Sequence, residues 1–432
     1  MVGEREIIML YESFKIDKRI LELSETALKN VEGVFAKIDS VTEYNQQKML
    51  NAFIENNVSE ADLGETTGYG YADRGREKLD RIYADAFGAE DALVRHSFAS
   101  GTHTLCVALF GILRPGDTML SVTGKPYDTI HGVIGLRKES GQGSLRDFGI
   151  NYSQVDLDEN GKPDLAAIKE ALKIKPKMVY IQRSRGYTLR PSLSVEEIAE
   201  IAALVKSECD AVVMVDNCYG EFVQTVEPTQ FGADLMAGSL IKNAGGAIAR
   251  TGGYIAGRAD LVELCSYRMT TPGLGKEIGA TLGENRNMLM GAFHAPHVTG
   301  EALKTAAFAA SLFELLGFEV TPRPLEDRFD IIQAIRLLTP ERLVAFCQGM
   351  QSGAPVDSFV VPEPWDMPGY DNKVIMAAGA FTMGSSIELS ADAPLREPYA
   401  AWMQGGINFH SAKLCVMLAA SKMAGEGLLN GI

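Results

Sequence analysis

The sequence AVVMVDNCYGEF (residues 211–222), followed by GADLMAGSLIKNAGGAIARTGGYIAGR (232–258), decides how the rest of the chain is interpreted. An apolar, β-branched run ends abruptly in Asp216, which predicts a buried strand with a carboxylate at its carboxyl end. A buried carboxylate needs a partner, because an unpaired charge is costly away from water. Lys242 stands in an apolar, glycine-rich setting, where an amine can lose its proton and act as a nucleophile.

The spacing of Asp216 and Lys242 leaves two interpretations open. The residues are either a core acid and an unrelated surface lysine, or two parts of one site, separated by about one strand, a turn and a second strand. An aspartate that can pair with a pyridinium nitrogen, followed by a lysine that can form a Schiff base, is the arrangement that pyridoxal phosphate requires.

Two further segments favour the cofactor site. In RHSFASGTHTLCVALFGIL (95–113) a predicted strand precedes a predicted helix, so Ser100, Gly101 and Thr102 fall at the helix N-terminus. Free backbone N–H groups there favour a phosphate, although Ser and Thr are also ordinary N-caps. Tyr127, in GKPYDT, follows the predicted strand TMLSV and a glycine turn, so its ring can return to the same sheet edge and stack on a planar group.

Predicted strands and helices alternate from about residue 90 to residue 257. The strand segments are ALVRH, TMLSV, NYSQV, KMVYIQ and AVVMVDN, and the clearest helices are DLAAIKEALK and SVEEIAEIAALVKSE. Such alternation favours a mostly parallel sheet that is covered on both faces. Sites in these sheets lie at the carboxyl ends of strands, and the residues expected there are Ser100, Gln182, Asp216 and Lys242.

Together these elements resemble the pyridoxal-phosphate enzymes of fold type I within the cysteine/methionine metabolism group. More narrowly, the chain resembles the methionine γ-lyase-like or aluminium-resistance family through GYGYADRGR, SGTH, GKPYDT, QRSRGY, VDNCYGEF, GSLIKN, MPGY and SIELSADAPLR. The resemblance runs from about residue 45 to about residue 406. It implies an α/β enzyme with a mostly parallel central sheet, helices on both faces and a smaller α+β C-terminal domain.

The resemblance also implies roles for individual residues. The matching cofactor-binding positions are Ser100, Gly101, Thr102, Tyr127, Asp216, Ser239 and Lys242. The Ser-Gly-Thr turn and Ser239 would hold the phosphate of pyridoxal 5'-phosphate, and Lys242 would carry the aldimine and move protons. Asp216 would pair with the pyridine nitrogen, and Tyr127 would stack on the ring and assist departure of the leaving group.

Residues from the GYGYADRGR segment are expected to contact the phosphate of a neighbouring subunit. Tyr71 and Arg76 are the preferred matches, with Tyr69 and Arg74 as alternatives. The other interpretation of this segment is a solvated turn before a helix that begins near Glu77. If the match holds, a homodimer is the smallest active unit, and a tetramer is the expected assembly.

Two arginines are candidates for the carboxylate of an amino-acid substrate. Arg185 is preferred over Arg183 and Arg190 in QRSRGYTLRP, directly after a predicted strand. At the place where the wider group carries an Asn near the phenolic oxygen of the cofactor, it could bind either that phenolate or a substrate acid, and a solvated basic loop is the alternative. Arg396 is the only arginine after Arg342, and a bidentate guanidinium suits a carboxylate. A solvated Arg396 is the alternative there.

Composition limits the possible partners. The net charge of −15 disfavours nucleic-acid and anionic-membrane surfaces. No apolar run approaches the roughly 18 residues of a membrane helix, and the first residues lack the pattern of a signal peptide. Six scattered cysteines, without paired CxxC spacing, favour free thiols in a reducing cytoplasm over disulfides or a metal site.

These observations predict the organisation and function of the chain. We expect an N-terminal helical arm and intersubunit segment (1–75), a large pyridoxal-phosphate-binding domain (76–299) and a small C-terminal domain (300–432). The implied function is a cytoplasmic pyridoxal-phosphate-dependent lyase that performs β- or γ-elimination on an amino acid, as a carbon–sulfur lyase of the methionine γ-lyase or cystathionine lyase type. The alternatives are elimination of a non-sulfur group such as halide, an aminotransferase or decarboxylase on the same scaffold, and a non-catalytic cofactor-binding protein.

Overall fold

A computed structural model describes residues 10–137, 141–367 and 372–429 of the chain. The described residues form two compact units, one of residues 41–297 and one that joins residues up to 40 with those from 298 onwards. Pro368, Gly369 and Tyr370 of the MPGY motif lie outside the described residues.

The unit of residues 41–297 is built on a seven-stranded sheet of order β1-β7-β6-β5-β4-β2-β3. Its strands are β1 (Asp91–Arg95), β2 (Thr118–Ser121), β3 (Asn151–Gln154), β4 (Met178–Gln182), β5 (Val212–Asp216), β6 (Leu235–Ser239) and β7 (Gly253–Gly257). The five strands from β3 to β6 in this order are paired in parallel, whereas β7 runs antiparallel to both β6 and β1. The mostly parallel sheet is therefore confirmed, with one reversed strand.

Both faces of this sheet are buried, as the apolar strand segments require. In β5, Val213 and Val215 belong to one apolar cluster, and Val212 and Met214 belong to the other. Because successive side chains of a strand point to opposite faces, this division shows that helices cover the sheet on both sides.

Ten α-helices have their bounds within the described residues. They are α1 (Lys18–Glu55), α2 (Arg74–Phe87), α3 (Gly101–Ile112), α4 (Ile130–Ile134), α5 (Leu165–Ala171), α6 (Val195–Glu208), α7 (Ala259–Met269), α8 (Asn285–Leu315), α9 (Pro340–Gln351) and α10 (Phe409–Gly425). Six of them (α2, α3, α5, α6, α9 and α10) begin after a side chain that accepts a hydrogen bond from the first turn. At the start of α6, the Ser194 hydroxyl accepts from the Glu197 N–H while the Glu197 carboxylate accepts from the Ser194 N–H. This capping box satisfies backbone donors that a helix leaves without an intrahelical partner.

The other unit contains an antiparallel five-stranded sheet of order β10-β11-β12-β9-β8. The strands are β8 (Glu319–Thr321), β9 (Gln333–Arg336), β10 (Val374–Ala377), β11 (Ser390–Pro394) and β12 (Ala400–Gln404). Ile20 and Ala27 of α1 share an apolar cluster with Phe308 and Phe313 of α8. The start of the chain therefore packs with the C-terminal residues, whereas the sequence analysis placed residues 1–75 in a separate segment.

Two helix boundaries differ from the predictions. Helix α2 begins at Arg74 and not near Glu77, because the Asp73 carboxylate caps it by accepting from the Arg76 N–H. The amphipathic pattern of ALKTAAFAASLFELLGF (302–318) predicts a helix of its own, but in the structure most of this segment is the end of a longer helix, α8, which continues through Pro296. Proline normally ends or kinks a helix, so the sequence pattern gave no sign of this continuity.

Candidate active site

The polar residues expected at one sheet edge do lie at the carboxyl ends of adjacent parallel strands. Gln182 ends β4, Asp216 ends β5 and Ser239 ends β6. Gln182 is paired in register with Asp216, and Asp216 with Ala237 of β6. The β4–β5–β6 edge therefore presents these side chains side by side, as parallel sheets do at their ligand sites.

Asp216 is a buried carboxyl with neutral hydrogen-bond donors. Its Oδ2 accepts from the Tyr180 hydroxyl at 3.1 Å, and its Oδ1 accepts from the Cys218 N–H at 3.2 Å. Burial raises the pKa of Asp216 above its ordinary value, although the hydrogen bonds from Cys218 and Tyr180 act in the opposite direction. Among the residues that the structure describes, Asp216 has no ion pair, so the site has room for a cationic partner.

Lys242 follows β6 by three residues and is in contact with a tyrosine that the sequence analysis did not select. Its backbone N–H donates to the Ser239 carbonyl at 3.3 Å, and its Nζ donates to the Tyr219 Oη at 2.5 Å. The Nζ also lies 4.6 Å from the centre of the Tyr219 ring. Tyr219 stands three residues after Asp216 with a φ of +73°, and that left-handed turn carries it back to the lysine. The only sequence signal that could have indicated Tyr219 was its position three residues after Asp216. That position does not predict the left-handed turn that brings Tyr219 to the lysine.

The turn at Ser100, Gly101 and Thr102 meets Ser239 at the N-terminus of α3. Ser100 is the N-cap, whose hydroxyl accepts from the His103 N–H at 3.1 Å. A Cβ on Gly101 would lie 3.2 Å from the Ser239 Cβ, so only glycine lets the two segments approach this closely without displacement. The Ser239 hydroxyl is buried and has no hydrogen-bond partner within the described chain. A buried hydroxyl beside a helix N-terminus suits a phosphate oxygen.

Tyr127 is fixed to the end of β4. Its backbone N–H donates to the Gln182 Oε1 at 2.7 Å, and its ring packs edge-on against Tyr187 at 5.3 Å between ring centres. A Cβ on Gly186, which has a φ of +57°, would lie 3.2 Å from the Tyr127 ring. The tyrosine predicted to cover the cofactor ring therefore belongs to the same strand edge as Asp216.

The three arginines of QRSRGYTLRP do not form a solvated basic loop, because Arg183, Arg185 and Arg190 are 0%, 1% and 8% exposed. Arg183 donates to the Asn217 Oδ1 at 2.8 Å and to the Gly220 carbonyl at 3.0 Å, beneath the turn that carries Asp216. Arg190 donates to the carbonyls of Gln182, Ser184 and Pro191. Both guanidinium groups thus donate to backbone carbonyl oxygens of the surrounding turns. Where those oxygens are buried, they need a donor from the protein in place of water. Arg185, the preferred candidate for the substrate carboxylate, is buried in the same segment.

Arg396 lies outside β11 and is exposed, with its Nη1 donating to the Asn372 Oδ1 at 3.5 Å. This environment agrees with the solvated alternative as well as with a substrate role.

The candidates for contact with a neighbouring subunit differ in accessibility. Tyr69 and Tyr71 are exposed and stack on each other, with 5.4 Å between ring centres. Arg76 is buried, and its Nη1 donates to the carbonyls of Gly70 and Gly279 at 2.7 Å each. Arg74, by contrast, has a side chain that is 63% exposed. The guanidinium of Arg76 is thus engaged within its own chain.

A second feature that sequence reasoning missed is the buried acid Glu221. Its Oε1 accepts from the Tyr254 hydroxyl at 2.8 Å, and its backbone carbonyl accepts from the Asn243 side chain at 3.0 Å. Burial raises the pKa of Glu221 to about 8, although the Tyr254 hydrogen bond acts in the opposite direction. Because Asn243 follows Lys242, this contact ties the lysine segment to the Asp216 turn.

The donor set fits pyridoxal 5'-phosphate on two observations. Among the described residues, the Ser239 hydroxyl at the helix N-terminus has no hydrogen-bond partner, and the Asp216 carboxyl is buried with neutral donors. The first suits a phosphate and the second a protonated pyridine nitrogen.

Two further features of the described residues concern metal ions and membranes. No group of three or more His, Cys, Asp or Glu side chains there is placed to hold a metal ion. None of the described helices has the length and apolar character that a membrane span requires.

The chain is similar to a family of known proteins over almost its whole length. The family model for methionine gamma-lyase matches residues 20–424. A carbon-sulfur lyase involved in aluminium resistance from Clostridium novyi NT has 52% identity and a TM-score of 0.93, with coverage of 96% of this chain and 98% of that one. The uncharacterised protein YnbB of Bacillus subtilis (strain 168) is 46% identical over 411 residues, which is 94% of this chain and 98% of YnbB. The pyridoxal-5'-phosphate-dependent protein YhfS of Escherichia coli is 17% identical with a TM-score of 0.60, covering 90% and 97% of the two chains, so it shows a shared fold.

Proposed function

The chain belongs to the methionine gamma-lyase family, and on that premise we propose that it is a pyridoxal-phosphate-dependent carbon–sulfur lyase that acts on an amino acid by β- or γ-elimination. The family and the solved relative from Clostridium novyi support this activity. The observation in the chain itself that carries the proposal is that one sheet edge presents both a buried Ser239 hydroxyl, without a hydrogen-bond partner among the described residues, and a buried Asp216 carboxyl.

We assign the binding of the cofactor to residues of three segments. The N-terminus of α3 and the Ser239 hydroxyl hold the phosphate, because a helix N-terminus presents backbone N–H groups to an anion and the Ser239 hydroxyl has no hydrogen-bond partner among the described residues. Asp216 holds the positive charge of the pyridine nitrogen, and its own burial strengthens that attraction. Lys242 binds the cofactor covalently through Nζ, and Tyr127 covers the ring.

Bound in this way, pyridoxal phosphate supplies an electron sink for the charge that develops at Cα. Lys242 Nζ, when free, removes the Cα proton and later returns protons, since an amine at the end of a flexible side chain can reach both positions. Tyr127 is the acid that we assign to departure of a γ-substituent. Arg185 is our preferred partner for the substrate carboxylate because it is buried at the β4 edge, with Arg396 as the alternative.

We also propose that the active form is a homo-oligomer, with a dimer as the smallest active unit and a tetramer as the full assembly. The exposed pair Tyr69 and Tyr71 supports a contact with a second copy, because aromatic side chains are enriched at such interfaces.

The proposal is tested by substituting Lys242. Wild-type protein saturated with pyridoxal phosphate and treated with borohydride should carry the cofactor on the Lys242 peptide, whereas Lys242→Ala should carry none. The wild type should also release 2-oxo acid and ammonia from methionine, homocysteine, cystathionine, cysteine or a γ-halogenated amino acid, without a keto-acid co-substrate. Lys242→Ala should lose this turnover by a factor of about 1000 or more, since it lacks both base and anchor.

Lys125→Ala is the matched control, because Lys125 is an exposed lysine in the same GKPYDT segment as Tyr127. It should be labelled at Lys242 and turn over as the wild type does. Product formation only in the presence of a keto acid would identify an aminotransferase and contradict the lyase.

A further inference from the structure

We propose that Tyr219 is a further catalytic residue, whose hydroxyl accepts a hydrogen bond from the free Lys242 ammonium and so fixes the direction and the protonation of that amine. The inference rests on the proposed function, in which Lys242 Nζ is a reacting atom. It assigns a role to a residue that lies outside the phosphate, ring and carboxylate contacts described above.

The geometry of the pair favours the charged amine. Nζ lies 2.5 Å from the Tyr219 Oη but 4.6 Å from the ring centre, so the hydroxyl lone pair is the main contact and the ring adds a weaker attraction. An ammonium can only donate, and the phenol oxygen is an acceptor at this position. Both the hydrogen bond and the ring therefore stabilise Lys242 in its protonated form.

Backbone contacts around Tyr219 hold its side chain in position next to Lys242. Tyr219 has a φ of +73°, a conformation that a residue with a side chain adopts only where its surroundings require it. The Gly220 N–H donates to the Asn217 carbonyl at 2.9 Å, and the Asn217 N–H donates to the Ala237 carbonyl of β6 at 3.0 Å. A Cβ on Gly220 would lie 2.5 Å from the buried Arg183 side chain, so that side chain packs directly against the turn.

The lysine side is fixed to the same turn. The Asn243 side chain donates to the Glu221 carbonyl at 3.0 Å, so the residue after Lys242 is bonded to the residue two positions after Tyr219. The Lys242 N–H is bonded to the Ser239 carbonyl at 3.3 Å. These contacts set the distance between the backbone at Lys242 and the backbone at Tyr219. The hydrogen bond from Nζ to Oη then joins the two side chains.

The role follows from the proton balance of the reaction. When free Lys242 removes the Cα proton, the proton moves from carbon to Nζ and the amine becomes an ammonium. Tyr219 accepts a hydrogen bond from this ammonium and keeps its own proton throughout. The Tyr219 hydroxyl thus raises the pKa of the freed Lys242 amine. It also keeps Nζ close to the substrate Cα, from which the amine removes the proton.

The test measures Lys242 itself. Full-length protein is stripped of cofactor, and the rate at which an amine-specific reagent labels the Lys242 peptide is followed by mass spectrometry across pH. Loss of a hydrogen bond to a charged group should lower the midpoint of labelling in Tyr219→Phe by about one pH unit. At a fixed pH below the midpoint, labelling should then be about tenfold faster. Phe keeps the ring and tolerates the same φ, so the variant should keep the wild-type unfolding temperature.

Tyr152→Phe is the matched control, because it removes a hydroxyl that donates to Gln154 on the edge strand β3. Its Lys242 midpoint should equal that of the wild type. Tyr219→Leu, which also removes the ring, serves if Tyr219→Phe does not fold, and should lower the midpoint at least as far. An unchanged or raised midpoint in the folded Tyr219 variant would overturn the proposal.

Loaded enzyme gives a second readout. The acidic limb of the kcat–pH profile should move to lower pH by about one unit in Tyr219→Phe, because the limb follows the amine that must be neutral to act as a base. The labelling experiment needs neither cofactor nor turnover. It therefore decides the role of Tyr219 even if the proposed lyase activity fails its own test.

Discussion

At the scale of single residues, Glu221 is the acid whose environment differs most from water. It is fully buried behind β6, and a Cβ on Gly238 would lie only 2.4 Å from its Oε1. Its Oε2 has no hydrogen-bond partner in the described chain. An ionised carboxylate without a second partner is unfavourable there, and burial raises the pKa of Glu221 from 4.5 to about 8.

This environment predicts a pH-dependent stability. Because the pKa in the folded state exceeds that in the unfolded state, the contribution of Glu221 is complete below pH 4.5 and is lost as pH rises through about 8. In Glu221→Gln this side chain is neutral at every pH. The change in unfolding free energy between pH 4.5 and pH 8 should therefore be smaller than in the wild type by up to a few kcal/mol. Urea unfolding across that range would measure it, with the exposed Glu263→Gln as control. Equal pH dependence in wild type and Glu221→Gln would contradict the prediction.

The residue scale also shows what the sequence could and could not predict. Asp216 was identified because it ends a strand whose apolar pattern is evident. Lys242 was identified from its apolar, glycine-rich setting, and Ser239, which ends β6, was matched through the family resemblance. Tyr219 was missed, since its contact with the lysine depends on a left-handed turn in a residue that has a side chain. Glu221 was missed because nothing in the local sequence distinguishes a buried acid from one that faces water.

At the scale of elements, the start of α2 is held by a buried aspartate that lies outside the helix. Asp62 Oδ2 accepts from the Ser59 N–H and from Lys78 Nζ, both at 2.7 Å. Burial raises the pKa of Asp62, but the bonds from Lys78 and Ser59 outweigh it and hold the pKa at about 2. The helix that follows the GYGYADRGR segment is thereby fixed to the residues before it.

Lys78→Met should weaken this connection. The wild-type contribution is present above the ordinary pKa of 3.8 and is lost as pH falls through about 2. Without Lys78 the buried carboxylate loses its main donor, so the variant should lose about 1–3 kcal/mol of unfolding free energy at neutral pH. Its acid unfolding should also begin at higher pH. Denaturant titration and acid unfolding would measure both effects, and Lys169→Met, which removes an exposed ion pair with Glu208, should change neither.

Helices and strands could be predicted from the sequence where the pattern that defines them lies within the segment itself. The strands β2 to β5 and helices α5 and α6 lie within the predicted segments, and β1 begins one residue before its segment, because the apolar periodicity and end signals are contained in each segment. The reversed direction of β7 was not predicted. It follows from pairing with β1 and β6, which are distant in sequence, and no single segment carries that information.

At the scale of the whole molecule, the family match over residues 20–424 extends beyond the motifs that suggested it. The grouping of the first 40 residues with those from 298 onwards was not predictable, because it depends on apolar contacts between the two ends of the chain. All six cysteines are free in the structure.

The proposed assembly makes the two arginines of GYGYADRGR separable by experiment. Arg76→Ala leaves the carbonyls of Gly70 and Gly279 without their buried donor, so it should lower the free energy of unfolding by a few kcal/mol. Arg74→Ala removes an exposed side chain with one long ion pair, at 3.4 Å from Asp62, and should leave stability within about 0.5 kcal/mol. If Arg74 contacts the phosphate of a second copy, its loss should weaken cofactor retention at least tenfold without dissociating the oligomer.

The measurements are denaturant unfolding, cofactor release on dialysis and light scattering on the same samples. Dilution of the wild type below its dissociation constant should release cofactor and activity together, because each site would then lack a residue supplied by the other copy. The reverse outcome for the two variants, with cofactor lost only in a stable Arg76→Ala, would assign the contact to Arg76 despite its burial. A monomer that retains both cofactor and activity would contradict a shared site altogether, since a complete site within one chain needs no second copy.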